Sequence, residues 1–293
     1  MKCSRCRKEA IINVLMPLCR NHFIENFEKK VKRTIKKYGL IDKNDKIAVA
    51  ASGGKDSTTA LYLMRKFFPR SKVEAIAIDE GIPGYREYTL SDLRKFCRKQ
   101  KIKLNIYSYE KEFGNSLEGL IRKNSGNPCR ICGVLRRYLL NRKSKGFTKL
   151  VTGHNLDDES QSVIMNIFKS HIKLMERLGP KTGVIKDDSF VPKVKPLYFC
   201  HQKEVAAYAL LNKFSVRFAE CPHAEDSYRS KIRDLLNGFE LEYRGTKNSI
   251  ISSFLKIKER LKSQPFDKVE YCVKCGEVAE QGVCAACLIK NAH

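Results

Sequence analysis

The sequence predicts an α/β fold: a Rossmann-like parallel sheet with helices on both faces, flanked by a zinc finger at each end of the chain. Three observations predict it. Short apolar runs alternate with segments of helical period between Ile47 and Gly153, the pattern of βαβ units. A glycine-rich turn joins the first run to the first helix of that series. The cysteines fall in close pairs near both termini.

Bulk properties narrow the function. The 293 residues suffice for one α/β core with small appended modules. No apolar run approaches the ~18 residues of a membrane span. Met1-Lys2-Cys3-Ser4-Arg5-Cys6 lacks a secretory apolar region, so a cytoplasmic location without membrane attachment is expected. The net charge of +25, from 57 basic and 32 acidic residues, points to a polyanionic partner; a solvated lysine-rich surface is the plainer alternative. Twelve cysteines in a cytosolic chain favour metal over disulfides.

Cys3-x2-Cys6, twelve residues, then Cys19-x2-His22 open the chain. Two close pairs converge on one tetrahedral zinc, which would supply folding energy to residues 1–24. Residues 23–40 carry apolar side chains at helical spacing with a basic outer face, and Tyr38-Gly39 reads as the stop.

Ile47–Ala51 reads as the first strand and residues 57–68 as a helix. Between them lies Ala51-Ser52-Gly53-Gly54-Lys55-Asp56-Ser57. Strand, glycine turn and helix N-terminus make an anion site, where unpaired N–H groups face the ligand. The spacing is not that of a Walker A loop. It resembles the PP-loop of the ATP pyrophosphatases, which cleave ATP to AMP and pyrophosphate. Val73–Asp79, Ile102–Tyr107 and Lys149–Gly153 read as further parallel strands, with a helix over Leu90–Gln100. Asp79, at a strand end, is placed either to contact nucleotide or to cap a turn.

Cys129-x2-Cys132 precedes a basic helical segment. Two thiols alone do not complete a metal site. Half of a zinc site, a redox or sulfur-relay dithiol and half of an iron–sulfur site are the competing readings. Cys221, in Glu220-Cys221-Pro222-His223, is a third candidate, and His223 a fourth. Three thiolates would leave one iron of a [4Fe–4S] cluster open. Gly153-His154-Asn155-Leu156-Asp157-Asp158-Glu159 follows a strand, as active-site loops do. Its acids suit a helix N-terminus, and they also suit magnesium or proton transfer. Residues 170–195 read as a partly basic loop, expected to act as a lid. A helix over 201–213 and two basic helices over 226–263 follow. Cys272-x2-Cys275, eight residues, then Cys284-x2-Cys287 form a second zinc site. Cys97 and Cys200 read as buried small residues. The expected units are 1–24, 25–225, 226–266 and 267–293.

Together these motifs resemble the tRNA 2-thiouridine synthetases of the TtcA/TtuA superfamily, in the branch with two terminal fingers. The likeness runs over essentially the whole chain. It implies adenylation of the 2-carbonyl oxygen of a tRNA uridine (34 or 54), then displacement of AMP by sulfur. By that resemblance Ala51, Ser52, Gly53, Gly54, Lys55, Asp56, Ser57, Asp79 and Gly153 would bind ATP, with magnesium. Cys129, Cys132 and Cys221 would hold a [4Fe–4S] cluster. Asp157 or Asp158 would supply the catalytic carboxylate, with Lys55 offsetting charge. Sulfur would come from a ubiquitin-like thiocarboxylate carrier or free sulfide, and a homodimer is implied. Arg136 and Arg137 stand where a family lysine would differ in role, because an arginine keeps its proton. Two other classes compete: a zinc-finger RNA-binding protein with an ATP-sensing PP-loop, and a ligase or amidotransferase for small molecules. The intact loop and thiols disfavour the first, and the charge and fingers the second.

Overall fold

The computed structural model describes residues 1–14, 16–124, 126–183, 190–224, 227–260, 270–279 and 282–291. The N-terminal module is a hairpin of β1 (Ile12–Asn13) and β2 (Pro17–Leu18), which runs into α1 (Arg20–Tyr38). That helix ends where Gly39 turns left-handed at φ 53°, as the Tyr38-Gly39 signal predicts.

The core series is β3 (Ile47–Ala50), α2 (Lys55–Phe67), β4 (Val73–Asp79), α3 (Arg86–Gln100) and β5 (Lys103–Ser108). Then come α4 (Tyr109–Phe113), α5 (Leu117–Asn124), α6 (Pro128–Lys143), β6 (Lys149–Val151) and α7 (Leu156–Phe168). The first turn of α3 precedes the expected Leu90 start. Arg86, at its first position, is buried by partners described below.

The sheet order is β5-β4-β3-β6-β8-β7. Pairing is parallel except for β7. The chain leaves β3 towards β4 and β5, then returns to β6 on the other side. Strand order thus reverses at β3, and a crevice opens beyond its carboxyl end. Side chains alternate between two cores, as the pleat requires. Ile47, Val49, Ala75 and Val151 face α1, α2 and α3, with Phe27, Leu61 and Leu93. Ala48, Ile76, Ile78 and Leu150 face α4, α5 and α6, with Tyr109, Leu117 and Leu135.

Residues 170–195 differ from the expected open loop. They form α8 (Ile172–Glu176) and the strands β7 (Lys181–Thr182) and β8 (Lys193–Val194), which extend the sheet. Two-residue strands give too little alternation for periodicity to register. Residues 184–189 of the expected lid lie outside the described residues. Then follow α9 (Gln202–Leu211), α10 (Tyr228–Glu242) and α11 (Thr246–Arg260). Leu156 and Val163 of α7, Tyr198, and Ile251 and Phe254 of α11 make a third apolar cluster.

The last module contains β9 (Glu270–Tyr271), β10 (Val278–Ala279) and α12 (Ala285–Lys290). It is docked rather than hanging. Cys272, Ala279 and Ala286 share the apolar cluster of Leu135 and Leu139. Asn124 Nδ2 donates to the Ile289 carbonyl at 3.2 Å, and Lys145 meets Glu277 at 2.6 Å. Among the described residues no helix is long and apolar enough to cross a membrane.

Candidate active site and cysteine centre

The glycine turn sits at the carboxyl end of β3. Gly54 caps α2, and Gly53 adopts φ +85°. A Cβ on Gly53 would stand 2.3 Å from the Thr89 carbonyl oxygen, so only glycine fits. Ser52 Oγ lies 3.0 Å from Ser57 Oγ and accepts from the Gly54 N–H at 3.3 Å. Lys55 Nζ pairs with Asp56 Oδ2 at 2.8 Å, and Asn155 Nδ2 donates to Asp56 Oδ1 at 3.0 Å. Gly153 packs directly on the loop: a Cβ there would stand 2.7 Å from Ser57 N. The loop, Gly153 and the acidic string therefore form one surface. Beside it a cavity of about 320 Å³ is lined by Asp79, Gly81, Ile82, Pro83, Arg86 and Leu90, among others. Asp79 accepts from the Gly81 N–H at 3.1 Å, which closes the turn, and also lines this cavity.

The two adjacent aspartates have different surroundings. Asp157 is buried. It holds the buried ammonium of Lys247 and accepts from the Gln202 N–H at 2.7 Å. Asp158 is half-buried and completes a capping box with Asn155, accepting its N–H at 3.1 Å. Arg229 stands 3.7 Å away. Burial raises the Asp158 carboxyl above the usual carboxylate range, against the pull of the Asn155 N–H and of Arg229. Burial also raises Asp56, with Lys55 opposing and Asp158 adding to the rise. The two carboxylates thus share one field at the loop.

Cys129 and Cys132 occupy the first turns of α6, capped by Asn127, whose Oδ1 accepts from the Arg130 N–H at 3.0 Å. Cys221 precedes a 3-10 turn, Pro222–Ala224, that packs against α6. Cys129 Sγ donates to the His223 carbonyl at 3.2 Å. So the fold brings the three distant cysteines into one neighbourhood. Burial raises both Cys132 and Cys221, while Arg136 pulls each down. His223 Nε2 lies 2.7 Å from Glu118 Oε1, which occupies that nitrogen.

Two other groups converge more tightly. Cys3, Cys6, Cys19 and His22, and Cys272, Cys275, Cys284 and Cys287, each place four ligand atoms within 4.8 Å of one another. Cys6 and Cys19 sulfurs are 3.8 Å apart, and Cys275 and Cys284 sulfurs 3.7 Å. Tetrahedral zinc with bonds of about 2.3 Å sets edges of about 3.8 Å. Both donor sets fit that ion. Cys129, Cys132 and Cys221 do not gather within the 4.8 Å span. Three thiols in one neighbourhood are a donor set of the kind that holds an iron–sulfur cluster.

Sequence reasoning passed over Glu80, Arg86, Lys247 and Arg229. Arg86 is buried: its Nη1 donates to the Ser52 carbonyl at 2.5 Å, its Nε to the Ile78 carbonyl at 2.9 Å, and Nε meets Glu80 Oε2 at 2.9 Å. Glu80 Oε1 also faces Arg136 Nη1 at 3.6 Å. Glu80 directly follows Asp79 at a strand end, which was the available signal. Lys247, ninety positions beyond its aspartate, gave none.

The comparisons with known proteins agree along the chain. The family model for the PP-loop domain matches residues 23–237. A tRNA-5-methyluridine(54) 2-sulfurtransferase from Pyrococcus horikoshii is 34% identical, over 98% of this chain and 93% of that protein. The tRNA 2-thiolation protein NcsA of Haloferax volcanii is 31% identical, over 98% and 97%. The solved structure of the U34-tRNA thiolase NcsA from Methanococcus maripaludis with its [4Fe-4S] cluster superposes with a TM-score of 0.83 at 31% identity. It covers 99% of this chain and 95% of that one.

Proposed function

Because this chain belongs to the PP-loop family, and within it to the tRNA 2-thiolation proteins, we propose that it is an ATP-dependent tRNA-uridine 2-sulfurtransferase. The observation that carries this reading is one surface: the Ser52–Ser57 loop, Asp158, and beyond Glu80 the three cysteines, all at the carboxyl edge of the sheet. ATP would place its phosphates on the N–H groups of the loop, with magnesium near Asp56 and Asp158 and the base towards the cavity by Asp79. The 2-carbonyl oxygen of the target uridine, 34 or 54, attacks the α-phosphorus, and pyrophosphate leaves. Lys55 offsets the charge that develops on the phosphate oxygens. Sulfur then attacks C2, and AMP leaves with the oxygen.

Asp158, not Asp157, is the carboxylate available to this chemistry, since Asp157 is engaged by Lys247 and Gln202. Cys129, Cys132 and Cys221 would hold a [4Fe–4S] cluster, whose open iron would supply a site for hydrosulfide from free sulfide or a thiocarboxylate carrier. Arg136 and Arg137 add positive charge to that approach. The two zinc modules and the basic helix α11 would grip tRNA in the cytoplasm, in units bounded near 24, 225 and 266. A homodimer is part of this reading.

Nucleoside mass spectrometry tests it. Anaerobically reconstituted protein, given ATP, sulfide and tRNA, yields 2-thiouridine, and Cys221→Ala yields none while folding as wild type. Reconstituted protein that binds no iron, or that binds tRNA without thiolating it, overturns the proposal in favour of an RNA-binding role.

A further inference from the structure

Glu80 stands between the two halves of the site. Its side chain is 7% exposed and that of Arg86 4%, so the two form a buried pair. Arg86 is fully used. It grips the Ile78 carbonyl through Nε and Nη2, the Ser52 carbonyl through Nη1, and Thr89 Oγ1 at 3.0 Å. These contacts fix the carboxylate of Glu80 against the backbone of the PP-loop. Its other oxygen points outward, to Arg136, whose side chain is 49% exposed.

Two cations therefore share one carboxylate, and one positive charge is left over. That surplus is borne at Arg136, on α6, one turn beyond Cys132. After burial, Arg136 exerts the largest influence on Cys132, ahead of Glu80. Tyr109 completes the wall, its hydroxyl donating to the Cys132 carbonyl at 2.8 Å. A half-exposed arginine without a tether would sample many rotamers in water. The Glu80 carboxylate, 3.6 Å away, biases it towards the site.

We propose that Glu80 is a positioning residue for sulfur transfer: anchored to the PP-loop through Arg86, it holds the Arg136 guanidinium against the Cys129–Cys132–Cys221 centre. The proposal rests on the thiolation reading. An anionic sulfur donor and an AMP leaving group must meet at thiolates that are themselves negative. A cation held in place there lowers the repulsion without donating a proton. Loss of residues that orient a metal centre costs on the order of 10–100-fold in activity.

The experiment uses full-length protein, reconstituted anaerobically, in wild-type, Glu80→Gln, Glu80→Asp, Arg136→Gln and double Glu80→Gln/Arg136→Gln forms. Thiolation kinetics and the midpoint potential of the cluster are read for each. Glu80→Gln is expected to lower kcat at least tenfold with KM for tRNA within twofold. Glu80→Asp recovers part of the loss. The two single changes do not add: in the Arg136→Gln background, Glu80→Gln costs less than twofold. The potential separates the two roles. Loss of the Glu80 charge raises the potential in either background; if Glu80 also holds Arg136, the departing cation offsets that rise, so Glu80→Gln raises the potential less in the wild type than in the Arg136→Gln background. An equal rise in both backgrounds, or additive losses in kcat, overturns the proposal. Arg136→Gln changes a half-exposed side chain, so the cycle keeps a folded arm; wild-type potential and kcat in that variant also overturn it. Wild-type protein that takes up no iron would instead mark failure of the thiolation reading.

Discussion

Gly153→Ala tests whether the PP-loop and the acidic string form a single machined surface. The added methyl would lie 2.7 Å from Ser57 N, 2.8 Å from the Asp56 carbonyl carbon and 2.9 Å from Ser57 Cα. All three are backbone atoms, so no rotamer change relieves the contact. Ordinary contact begins at 3.4 Å. The helix start must therefore retreat by about 0.7 Å, or β6 must bend away. Overpacking of this kind costs about 1–3 kcal/mol. At about 2–4 °C per kcal/mol for a chain of this size, Tm should fall by roughly 2–12 °C. A displacement approaching 1 Å at reacting groups costs on the order of 100-fold in rate. Pyrophosphate release with ATP and tRNA should fall by about that factor. Gly238→Ala, within α10 and with nothing within 4 Å of its added Cβ, is the control. It should keep full activity and gain up to ~1 kcal/mol. A Gly153→Ala protein with wild-type Tm and pyrophosphate release within twofold would refute the argument.

Two further outcomes follow from buried charge. Asp157→Asn strands the Lys247 ammonium in the interior and should cost about 3–5 kcal/mol in urea denaturation. Asp158→Asn, whose side chain is 31% exposed, should cost under ~1 kcal/mol yet abolish thiolation; equal destabilisation by both would contradict the separation of roles. Burial, then Arg137 and Lys195, lowers the Lys193 ammonium to about 8. Its charged form is thus penalised in the fold but not in the unfolded chain. Lys193→Met should stabilise the protein at pH 7, and the advantage should fade as pH rises from about 8 towards the ordinary lysine value of about 10.4. A pH-independent difference would exclude this account.

The centre of the sheet was legible in the sequence because β3, β4 and β6 are buried on both faces. Val73–Asp79 admits only one reading, and the structure places that strand at the predicted residues. The fingers were legible because zinc demands ligands at fixed spacing. Boundaries failed where a tertiary contact overrode local composition. The helix of Leu90–Gln100 begins a turn earlier, at Arg86, whose buried guanidinium is held by Glu80 and two backbone carbonyls that no local pattern announces. Within the site, residues sharing one motif were found together, as in Ser52–Ser57. Residues that meet only through the fold were not. No local pattern links Asp157 to Lys247, and none shows that the neighbouring Asp158 stays available.

The C-terminal finger lies on α5 and α6, the latter the helix that presents Cys129 and Cys132. Ribosomes deliver a chain from its amino end, so α6 emerges long before the residues that cover its outer face. If Cys272, Cys275, Cys284 and Cys287 hold zinc, Leu135 and Leu139 lack that cover until the ion is bound, beside Cys129 and Cys132. Zinc supply would then act on the yield of folded molecules, since an uncovered apolar face on α6 favours aggregation.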